Sequence, residues 1–285
     1  MCRHLAYVGP PVTLAECLLH QPHSLLRQSW APTDMRGGGA LNGDGFGIGW
    51  LVGDPVNPGN PGDPGDPGKP TTAAYARRYR RDRPMWSDAC LPDLAESVTS
   101  GAILAAVRSA TAGMPVTETA CAPFVRGHWM FSHNGVVAGW PDSVAPLAAL
   151  LPPPVLMTLD APTDSAFLWA LARARLQEGQ SAARSLAGVA ADVLALAPLS
   201  RLNLLLCDGQ HIAATTVSHS LWFLQGEGSV TVSSEPLTPD DPRWQAVPDL
   251  SLLEATATHC SIRPLLEQPS ADPSSARPPL DQGWS

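Results

Sequence analysis

Cys2 is the residue of this sequence best placed for nucleophilic chemistry. The chain opens Met-Cys-Arg-His, and methionine aminopeptidases remove Met1 when the next side chain is as small as that of cysteine. Removal leaves a thiol and a free α-amino group on one residue. Because an α-amino group has a pKa of about 8, part of it is neutral at cellular pH and can take the thiol proton. The start of the chain is therefore compatible with an N-terminal cysteine nucleophile that carries its own base. Taken alone, a small apolar residue at this position is the commoner interpretation of Met-Cys.

Three further segments place polar residues where predicted elements begin or end. They are Ala-Val-Arg-Ser-Ala-Thr (106–111), Phe-Ser-His-Asn-Gly (131–135) and Thr-Asp-Ser (163–165). Each has an ordinary structural interpretation when taken alone: Arg108 could form a surface ion pair, Asn134 a tight turn with the glycine after it, and Asp164 a helix cap. Their combination with an N-terminal cysteine is more specific than any one of them.

The apolar pattern predicts strands and helices that alternate along the chain. Strands are predicted at 45–52, 102–107, 129–132, 201–207, 211–217, 221–224 and 229–233. Helices are predicted at 14–19, 164–177 and 182–196. Asp208-Gly209 is a strong hairpin signal, and Asn134-Gly135 predicts a turn. Hairpins mixed with helices indicate an α+β fold and argue against a parallel, doubly wound sheet.

Two segments of biased composition interrupt this order. A Gly-x-Pro period of three between 58 and 70 is typical of a solvated, polyproline-like loop, so we predict a flexible insertion at 53–70. The Pro-, Ser- and Asp-rich end predicts a disordered tail at 266–285. What remains is one domain, residues 2–265, with enough chain to bury a sizeable core.

These segments resemble the class II glutamine amidotransferase family of N-terminal-nucleophile hydrolases, and within it the γ-glutamyl hercynylcysteine S-oxide hydrolases of ergothioneine biosynthesis. The Arg-x-x-Thr, His-Asn-Gly and Asp-Ser pieces are shared across the class. The branch-specific pieces are Met-Cys-Arg-His-Leu-Ala-Tyr-Val-Gly (1–9) and Gln-Ser-Trp-Ala-Pro (28–32). With 42–50, 84–88 and 233–237, the resemblance extends from residue 1 to about 240. It implies a four-layer αββα sandwich, with two packed antiparallel sheets between helical layers.

The resemblance also implies a role for each matched residue. Cys2 would attack the γ-carbonyl of a glutamyl amide and form a γ-glutamyl thioester. The side-chain amide of Asn134 and the backbone N–H of Gly135 would hold the oxyanion. Arg108 would bind the α-carboxylate of the substrate, and Asp164 its α-ammonium group. Water would then release L-glutamate.

Three more residues carry weaker expectations. Thr111 would help to shape the glutamyl pocket. Trp30 and Trp86 lie in branch-specific segments, and their rings could receive the trimethylammonium group of the hercynyl end. Simple packing is an alternative that tryptophan favours at least as much. The arginine-rich segment 75–83 predicts a solvated strand or loop, with binding of a second substrate carboxylate as the alternative.

Two enzymes and one non-enzyme are compatible with this resemblance. The main hypothesis is a stand-alone hydrolase, because the matched region uses nearly the whole chain. The alternative is a glutaminase subunit that supplies ammonia to a separate synthase chain. A catalytically silent scaffold is disfavoured because every catalytic position is filled. The implied partner is a small-molecule γ-glutamyl substrate, and we expect no cofactor and no obligatory protein partner.

Composition and charge argue against several other classes. A net charge of −8 disfavours a nucleic-acid partner, and no run approaches the roughly 18 apolar residues of a membrane span. The N-terminus does not resemble a signal peptide, so we expect a cytoplasmic protein. Cys17, His20 and His23 faintly resemble metal ligands, but a proline interrupts any helix that would align them, so we predict no metal. The glycine-rich stretch 43–49 lacks Gly-Lys-Ser/Thr, which rejects a phosphate loop in favour of a strand that another backbone approaches closely.

Overall fold

The structure is a computed structural model that describes residues 2–36, 41–53 and 74–266. Apart from Gly53 and Leu266, the predicted insertion (53–70) and tail (266–285) lie outside the described residues. Both therefore stay predictions.

The described residues form thirteen strands and six α-helices. The strands are β1 (Arg3–Thr13), β2 (Phe46–Val52), β3 (Tyr75–Arg81), β4 (Thr99–Val107), β5 (Phe124–Arg126), β6 (Trp129–Val136), β7 (Arg201–Cys207), β8 (His211–Thr216), β9 (Trp222–Gly226), β10 (Ser229–Ser233), β11 (Gln245–Ala246), β12 (Ser251–Thr256) and β13 (Cys260–Pro264). The helices are α1 (Leu14–Leu18), α2 (Leu25–Gln28), α3 (Leu91–Ser97), α4 (Pro153–Met157), α5 (Asp164–Gln177) and α6 (Ala182–Leu196). Within the described stretches, no helix combines the length and apolar character that crossing a bilayer requires.

The strands form two sheets in which neighbouring strands run antiparallel. The first sheet has seven strands in the order β11-β9-β10-β1-β4-β2-β3. The second has six in the order β13-β12-β8-β7-β6-β5. The N-terminal strand β1 is thus central in its sheet, with β4 and β10 on either side.

Three apolar clusters separate four layers. One cluster lies between the sheets and joins Ala6 and Leu104 of the first to Met130 and Leu205 of the second. Another packs α1, α2 and α3 against the outer face of the first sheet. The last packs α5 and α6 against the outer face of the second. This helix–sheet–sheet–helix order confirms the predicted αββα sandwich.

β1 is apolar on both faces because both are covered. Ala6 and Val8 belong to the cluster between the sheets, whereas Leu5 and Tyr7 pack towards the helices. Successive side chains of a strand point to opposite faces, so a doubly covered strand needs a continuous apolar run. The alternation expected of a half-exposed strand is therefore missing, and the sequence pattern did not predict β1.

The predicted turn at Asn134-Gly135 is wrong. β6 continues through both residues to Val136, with Asn134 opposite Asn203 and Gly135 opposite Leu202 of β7. Pairing with a neighbouring buried strand outweighs the local turn preference of an Asn-Gly dipeptide. Both residues consequently lie within the second sheet.

The glycines of the 43–49 stretch confirm the expected close approach of another chain segment. A Cβ atom at Gly47 would lie 2.1 Å from the carbonyl oxygen of Ala122, and one at Gly45 would lie 2.4 Å from Cys121 Sγ. Gly45 also has a φ of +132°, which side-chain-bearing residues rarely adopt. The absence of side chains lets residues 121 and 122 lie directly against β2.

Candidate active site

A cleft with an empty volume of about 310 Å³ opens to solvent where β1 begins and β4 ends. We call it the nucleophile cleft. Two of the predicted site residues, Cys2 and Arg108, line it. The described lining consists of Cys2, Phe46, Ala106, Val107, Arg108, Ala120, Cys121, Ala122, Phe124, His133 and Ser165.

Cys2 extends from the rigid first sheet into this cleft. The β1 ladder begins at Arg3, opposite Val107, so Cys2 is the first residue beyond the paired strand. Its Sγ lies 3.7 Å from the carbonyl oxygen of Ser109, and its own carbonyl oxygen accepts a hydrogen bond of 2.9 Å from Arg3 Nη1. The residue is half-buried. A substrate in the cleft can therefore reach the thiol.

Arg108 follows β4 directly and is half-buried. Its backbone extends the ladder, because Arg108 N donates to Gly45 O at 2.8 Å and Arg108 O accepts from Asp44 N at 3.0 Å. Its guanidinium donates through Nη1 to Pro115 O at 2.9 Å. It forms no ion pair with any residue in the described stretches. A cation held in place with no acidic partner suits a carboxylate ligand.

Asp164 is a buried carboxylate held only by hydrogen-bond donors. Thr163, not Asp164, caps α5, because the Thr163 side chain accepts from Ala166 N. Asp164 Oδ2 accepts from Val137 N at 3.0 Å, and Oδ1 accepts from Ser165 N at 2.7 Å. None of the cations in the described part of the chain lies within ion-pair distance. The simple capping interpretation of Asp164 is therefore excluded.

The Asn134 side chain is buried and points between the sheets, where its Nδ2 lies 3.4 Å from Ser234 Oγ. Its Oδ1 has no hydrogen-bond partner among the described residues. Ser234 Oγ already accepts the His4 N–H at 3.0 Å. Turning the amide by 180° would let the Ser234 hydroxyl donate to Oδ1 and would leave Nδ2 free as a donor. Asn134 is not part of the described cleft lining.

Gly135 is a position where no side chain fits. A Cβ atom there would lie 1.9 Å from the carbonyl oxygen of Arg201 and 2.6 Å from His133 Nε2. The neighbouring strand β7 thus approaches the Gly135 backbone too closely for any other residue.

The remaining predicted residues lie outside the described cleft lining. Thr111 is exposed, and its carbonyl oxygen accepts from Met114 N in a turn. Trp30 is 40% exposed, with the guanidinium carbon of Arg27 stacked 3.9 Å from its ring centroid. Trp86 is 43% exposed and packs beside Gly43. The two tryptophans are therefore not simple core residues.

Sequence reasoning assigned no role to two polar residues of the cleft, His133 and Ser165. His133 Nε2 lies 3.0 Å from Arg201 O, and Nδ1 lies 3.0 Å from Ser165 Oγ. Because a carbonyl oxygen only accepts, Nε2 carries a proton. Ser165 Oγ in turn lies 3.2 Å from Asp164 Oδ1, which links His133 to the buried carboxylate. Both residues belong to the matched motifs, 131–135 and 163–165. Their place in those motifs was the one sequence signal that could have identified them.

Glu235 was also missed as a functional residue, although the segment 233–237 was matched. Its carboxylate is 1% exposed and lies 2.9 Å from Arg3 Nε and 2.7 Å from His23 Nε2. Thr33 donates to it through its backbone N at 2.8 Å and through its hydroxyl at 2.6 Å. Burial alone would raise the pKa of Glu235, but the hydrogen bonds of His23 and Thr33 and the Arg3 charge outweigh it and lower the pKa to about 2. Glu235 is therefore ionised at any physiological pH.

The other thiols do not compete with Cys2. Cys121 shares the cleft, but burial raises its pKa to about 11, and burial raises the pKa of Cys17 to about 12. All six cysteines are free. His20 pairs with Glu96 and His23 with Glu235, and no group of three or more potential ligands in the described stretches is arranged to hold a metal ion.

Comparison with known proteins places this site in a family. Residues 24–227 match the family "Glutamine amidotransferases class-II". A γ-glutamyl-hercynylcysteine sulfoxide hydrolase of Mycolicibacterium smegmatis is 36% identical over 265 residues, which cover 93% of this chain and 100% of that protein. The protein of the same name from Mycobacterium tuberculosis is 34% identical over 256 residues, covering 90% of this chain and 93% of the relative.

Solved structures agree on the fold. A glutamine aminotransferase class-II domain protein of Silicibacter pomeroyi superposes with a TM-score of 0.61 at 23% identity, covering 93% of this chain and 100% of that one. A glutamine phosphoribosylpyrophosphate amidotransferase of B. subtilis superposes with a TM-score of 0.58 at 11% identity, covering 94% of this chain and 50% of that one. The family match extends over most of the chain and includes β2 to β9, and the relatives cover nearly all of it. The chain therefore belongs to the class II glutamine amidotransferase family.

Proposed function

We propose that this protein hydrolyses the γ-glutamyl amide bond of γ-glutamyl-hercynylcysteine sulfoxide and releases hercynylcysteine sulfoxide and L-glutamate, a step of ergothioneine biosynthesis. The observation that carries the proposal is the meeting, in one open cleft, of the Cys2 thiol and an Arg108 guanidinium that pairs with no acidic residue of the described stretches. The relatives that share this chain over nearly their whole length bear the name of that activity, which supports the choice of substrate.

The first half-reaction transfers the glutamyl group to Cys2. With Met1 removed, the Cys2 thiol gives its proton to its own α-amino group, and Sγ attacks the γ-carbonyl carbon. The C–N bond then breaks, and the departing amine takes that proton from the α-ammonium group. A γ-glutamyl thioester remains on the enzyme. The position of Cys2 just beyond the β1 ladder supports this role because it leaves the α-amino group outside the sheet.

The tetrahedral intermediate needs hydrogen-bond donors for its oxyanion. We assign this role to the Asn134 amide and the Gly135 N–H, although the Asn134 side chain is outside the described cleft lining. The interaction of Ser234 with Asn134 supports the assignment, since the hydroxyl can hold Oδ1 and release Nδ2 towards the substrate. One such donor is typically worth about 3 kcal/mol of barrier.

The glutamyl end of the substrate is a zwitterion, and for each of its charges the protein offers an opposite charge that has no ion-pair partner among the described residues. Arg108 binds the α-carboxylate, and Asp164 binds the α-ammonium group through the Oδ1 edge that Ser165 and His133 orient. Thr111 would approach this end only if its exposed loop folded inward, so we assign it a minor role in shaping the pocket.

The hercynyl end carries a trimethylammonium group, which aromatic faces attract. Trp86 is the better candidate for this contact because Arg27 already covers one face of Trp30.

The second half-reaction, hydrolysis of the γ-glutamyl thioester, then needs only water. The α-amine takes a proton from water, and the hydroxide oxygen attacks the thioester carbon. The C–S bond then breaks, the α-ammonium group returns the proton to Sγ, and L-glutamate leaves.

A glutaminase that supplies ammonia to another chain is the second candidate. It is favoured by the family match and by a 29% identical relative from Saccharomyces cerevisiae described as a probable glutamine amidotransferase, which aligns with 60% of this chain. The 100% coverage of the M. smegmatis hydrolase favours the first candidate.

We further propose that the protein needs no obligatory protein partner, binds neither nucleic acid nor membrane, and acts in the cytoplasm, where six free thiols are expected to persist.

A glutamate-release assay separates these candidates. The protein without Met1 is incubated with γ-glutamyl-hercynylcysteine sulfoxide and, separately, with glutamine, and glutamate is followed over time. We expect a large preference for the sulfoxide. Preference for glutamine would support the glutaminase, and no release from either would overturn the enzymatic proposal. Intact mass spectrometry of active protein must also show that Met1 is absent, since retained Met1 leaves no free amine on Cys2.

A further inference from the structure

Glu235 joins its own segment to three others, one of which begins with Arg3, the residue after Cys2. It binds Arg3 at the start of β1, His23 before α2, Thr33 through two donors, and Asp34 N at 3.2 Å. Arg3 is 2% exposed and extends the connection, since its Nη1 donates to the Cys2 carbonyl oxygen and its Nη2 donates to Asp34 O. A chain of hydrogen bonds therefore runs from Glu235 through Arg3 to the nucleophile.

This arrangement is not explained by stability alone. Desolvating a carboxylate and a guanidinium costs several kcal/mol, and a buried ion pair is often no better than apolar residues of the same volume. The carboxylate nevertheless accepts five hydrogen bonds at one place, so the position of the Arg3 fork is closely fixed. Because the Arg3 guanidinium donates to the Cys2 carbonyl oxygen, holding the guanidinium also holds the peptide unit between Cys2 and Arg3.

An N-terminal nucleophile depends on that peptide unit more than an internal one would. Cys2 without Met1 is attached to the protein on one side only, and both its thiol and its α-amine branch from the same Cα atom. Among the described residues, Arg3 Nη1 provides the hydrogen bond that holds the Cys2 carbonyl oxygen. Loss of that anchor would let the thiol and its base swing together away from the substrate.

We propose that Glu235 and Arg3 are positioning residues for the N-terminal nucleophile, in which Glu235 orients Arg3 and Arg3 orients Cys2. This rests on the proposed function. Glu235 is not part of the described cleft lining, so it acts on the reacting group and not on the substrate. Its loss should therefore lower kcat and leave KM nearly unchanged.

The test compares Glu235→Gln with Glu254→Gln. Glu254 is the matched control because its bond to Arg263 is 3.4 Å long and its side chain is 45% exposed, far from the burial of Glu235. We expect E235Q to lower kcat about 100-fold, the loss typical of a misplacement of about 1 Å, with a KM change below about threefold. E254Q should match the wild type. Equal kcat in E235Q and wild type, or a raised KM with unchanged kcat, would overturn the proposal.

A second readout does not depend on turnover. The rate at which iodoacetamide alkylates Cys2 is measured by mass spectrometry of the N-terminal peptide between pH 6 and 9.5, in wild type, E235Q, Glu235→Asp and E254Q. Because the Arg3 guanidinium fixes the orientation of the Cys2 thiol, the alkylation rate at each pH should differ between E235Q and the wild type. E235D keeps the charge opposite Arg3 and should restore part of kcat and of the profile. A wild-type alkylation rate in folded E235Q would contradict the positioning role.

Folding and function are kept apart by two controls. If E235Q does not fold, Thr33→Val removes one donor to the carboxylate and should give a smaller change in the alkylation rate. A wild-type alkylation rate in T33V together with unchanged kcat would then count against the proposal. If the wild type releases no glutamate from either substrate, the proposed function fails, whereas the alkylation comparison still reports on the orientation of Cys2.

Discussion

Arg3 and Arg108 begin from adjacent positions in the same ladder, yet they have opposite surroundings. Arg3 lies opposite Val107, the last residue of β4, and Arg108 directly follows that strand. The Arg3 guanidinium is buried and uses Nε, Nη1 and Nη2 on Glu235 and two carbonyl oxygens. The Arg108 guanidinium lines an open cleft and bonds only the carbonyl of Pro115 among the described residues.

The difference separates two uses of charge in one site. A cation whose partners are complete holds protein atoms in place, and a cation without a carboxylate partner is available to a ligand. Asp164 repeats the second case, since backbone and hydroxyl donors hold it and no cation among the described residues does. The same substitution in the two arginines should therefore have different effects.

Arg3→Met tests the paired side and should give the largest effect. It leaves the Glu235 carboxylate buried without its cation, so we expect the free energy of unfolding to fall by about 3–5 kcal/mol. Urea unfolding at pH 7 measures this, with Arg108→Met as the matched control. Equal losses in both variants would mean that the two surroundings do not differ as described.

Arg108→Met tests the unpaired side. Truncating one partner of a buried charge pair costs about 2–5 kcal/mol, so kcat/KM for the γ-glutamyl substrate should fall about 100-fold or more. Stability should change by less than about 0.5 kcal/mol, as for a substitution away from packed features. Steady-state kinetics and urea unfolding of one preparation report both values. Wild-type kcat/KM in folded R108M would remove Arg108 from the site.

The pH dependence of stability extends the comparison to the histidines behind Arg3. Burial first, then charges that include Arg3, lower the pKa of His4 and of His219 to about 3. The unfolded chain binds these protons near pH 6.5, so the free energy of unfolding is highest above that pH and falls as the pH drops towards 3. At pH 5 we expect about 2 kcal/mol of loss for each histidine. Urea unfolding at pH 5 and 7 should show a smaller loss in His219→Gln, and an identical loss would contradict the assignment.

Trp30 and Trp86 show a similar contrast, between a ring that already stacks with a cation and a ring that does not. Arg27 covers a face of Trp30, whereas Trp86 has no stacked cation among the described residues. A cation–π contact with a desolvated ligand is worth about 1–2 kcal/mol, so Trp86→Ala should raise KM for the sulfoxide about tenfold. Trp30→Ala should have a smaller effect. Wild-type KM in W86A, or a larger change in W30A, would reverse the assignment.

Removing the Gly-x-Pro segment should have the smallest effect. Residues 57–69 lie outside the described stretches and outside every matched motif. Their deletion should leave kcat/KM within about twofold of wild type, because no residue of the matched motifs is removed. A large loss of turnover would show that the segment takes part in substrate handling.

The sequence predicted the layers of this fold better than the positions of its individual strands. The hairpin at Asp208-Gly209 and the helices α5 and α6 are confirmed because turn chemistry and apolar spacing are local signals. β1 was missed because both of its faces are covered. The turn at Asn134 was predicted wrongly because its pairing with Asn203 depends on a strand 69 residues away.

For the site, the types of residue were predictable and their neighbours were not. The matched motifs identified Cys2 and Arg108, which the cleft brings together. The Ser165–His133 link and the Glu235–Arg3 pair join residues 32 and 232 positions apart, so only the folded chain shows which groups are already satisfied. Whether a charged side chain has an ion-pair partner decides whether it holds the protein together or binds a ligand. The pairing depends on the fold and cannot be predicted from the local sequence.

The location of Asn134 and Gly135 inside β6 has a consequence for how the site can fail. A slip of one residue against β7 would exchange the two faces of the strand, so the amide and the glycine would trade sides. Gly135 resists such a slip, since any other residue brought opposite Leu202 would place its Cβ atom against the carbonyl oxygen of Arg201. One close backbone contact thus fixes the register of β6 against β7. The Asn134 amide and the Gly135 N–H should therefore keep their orientation until the second sheet unfolds.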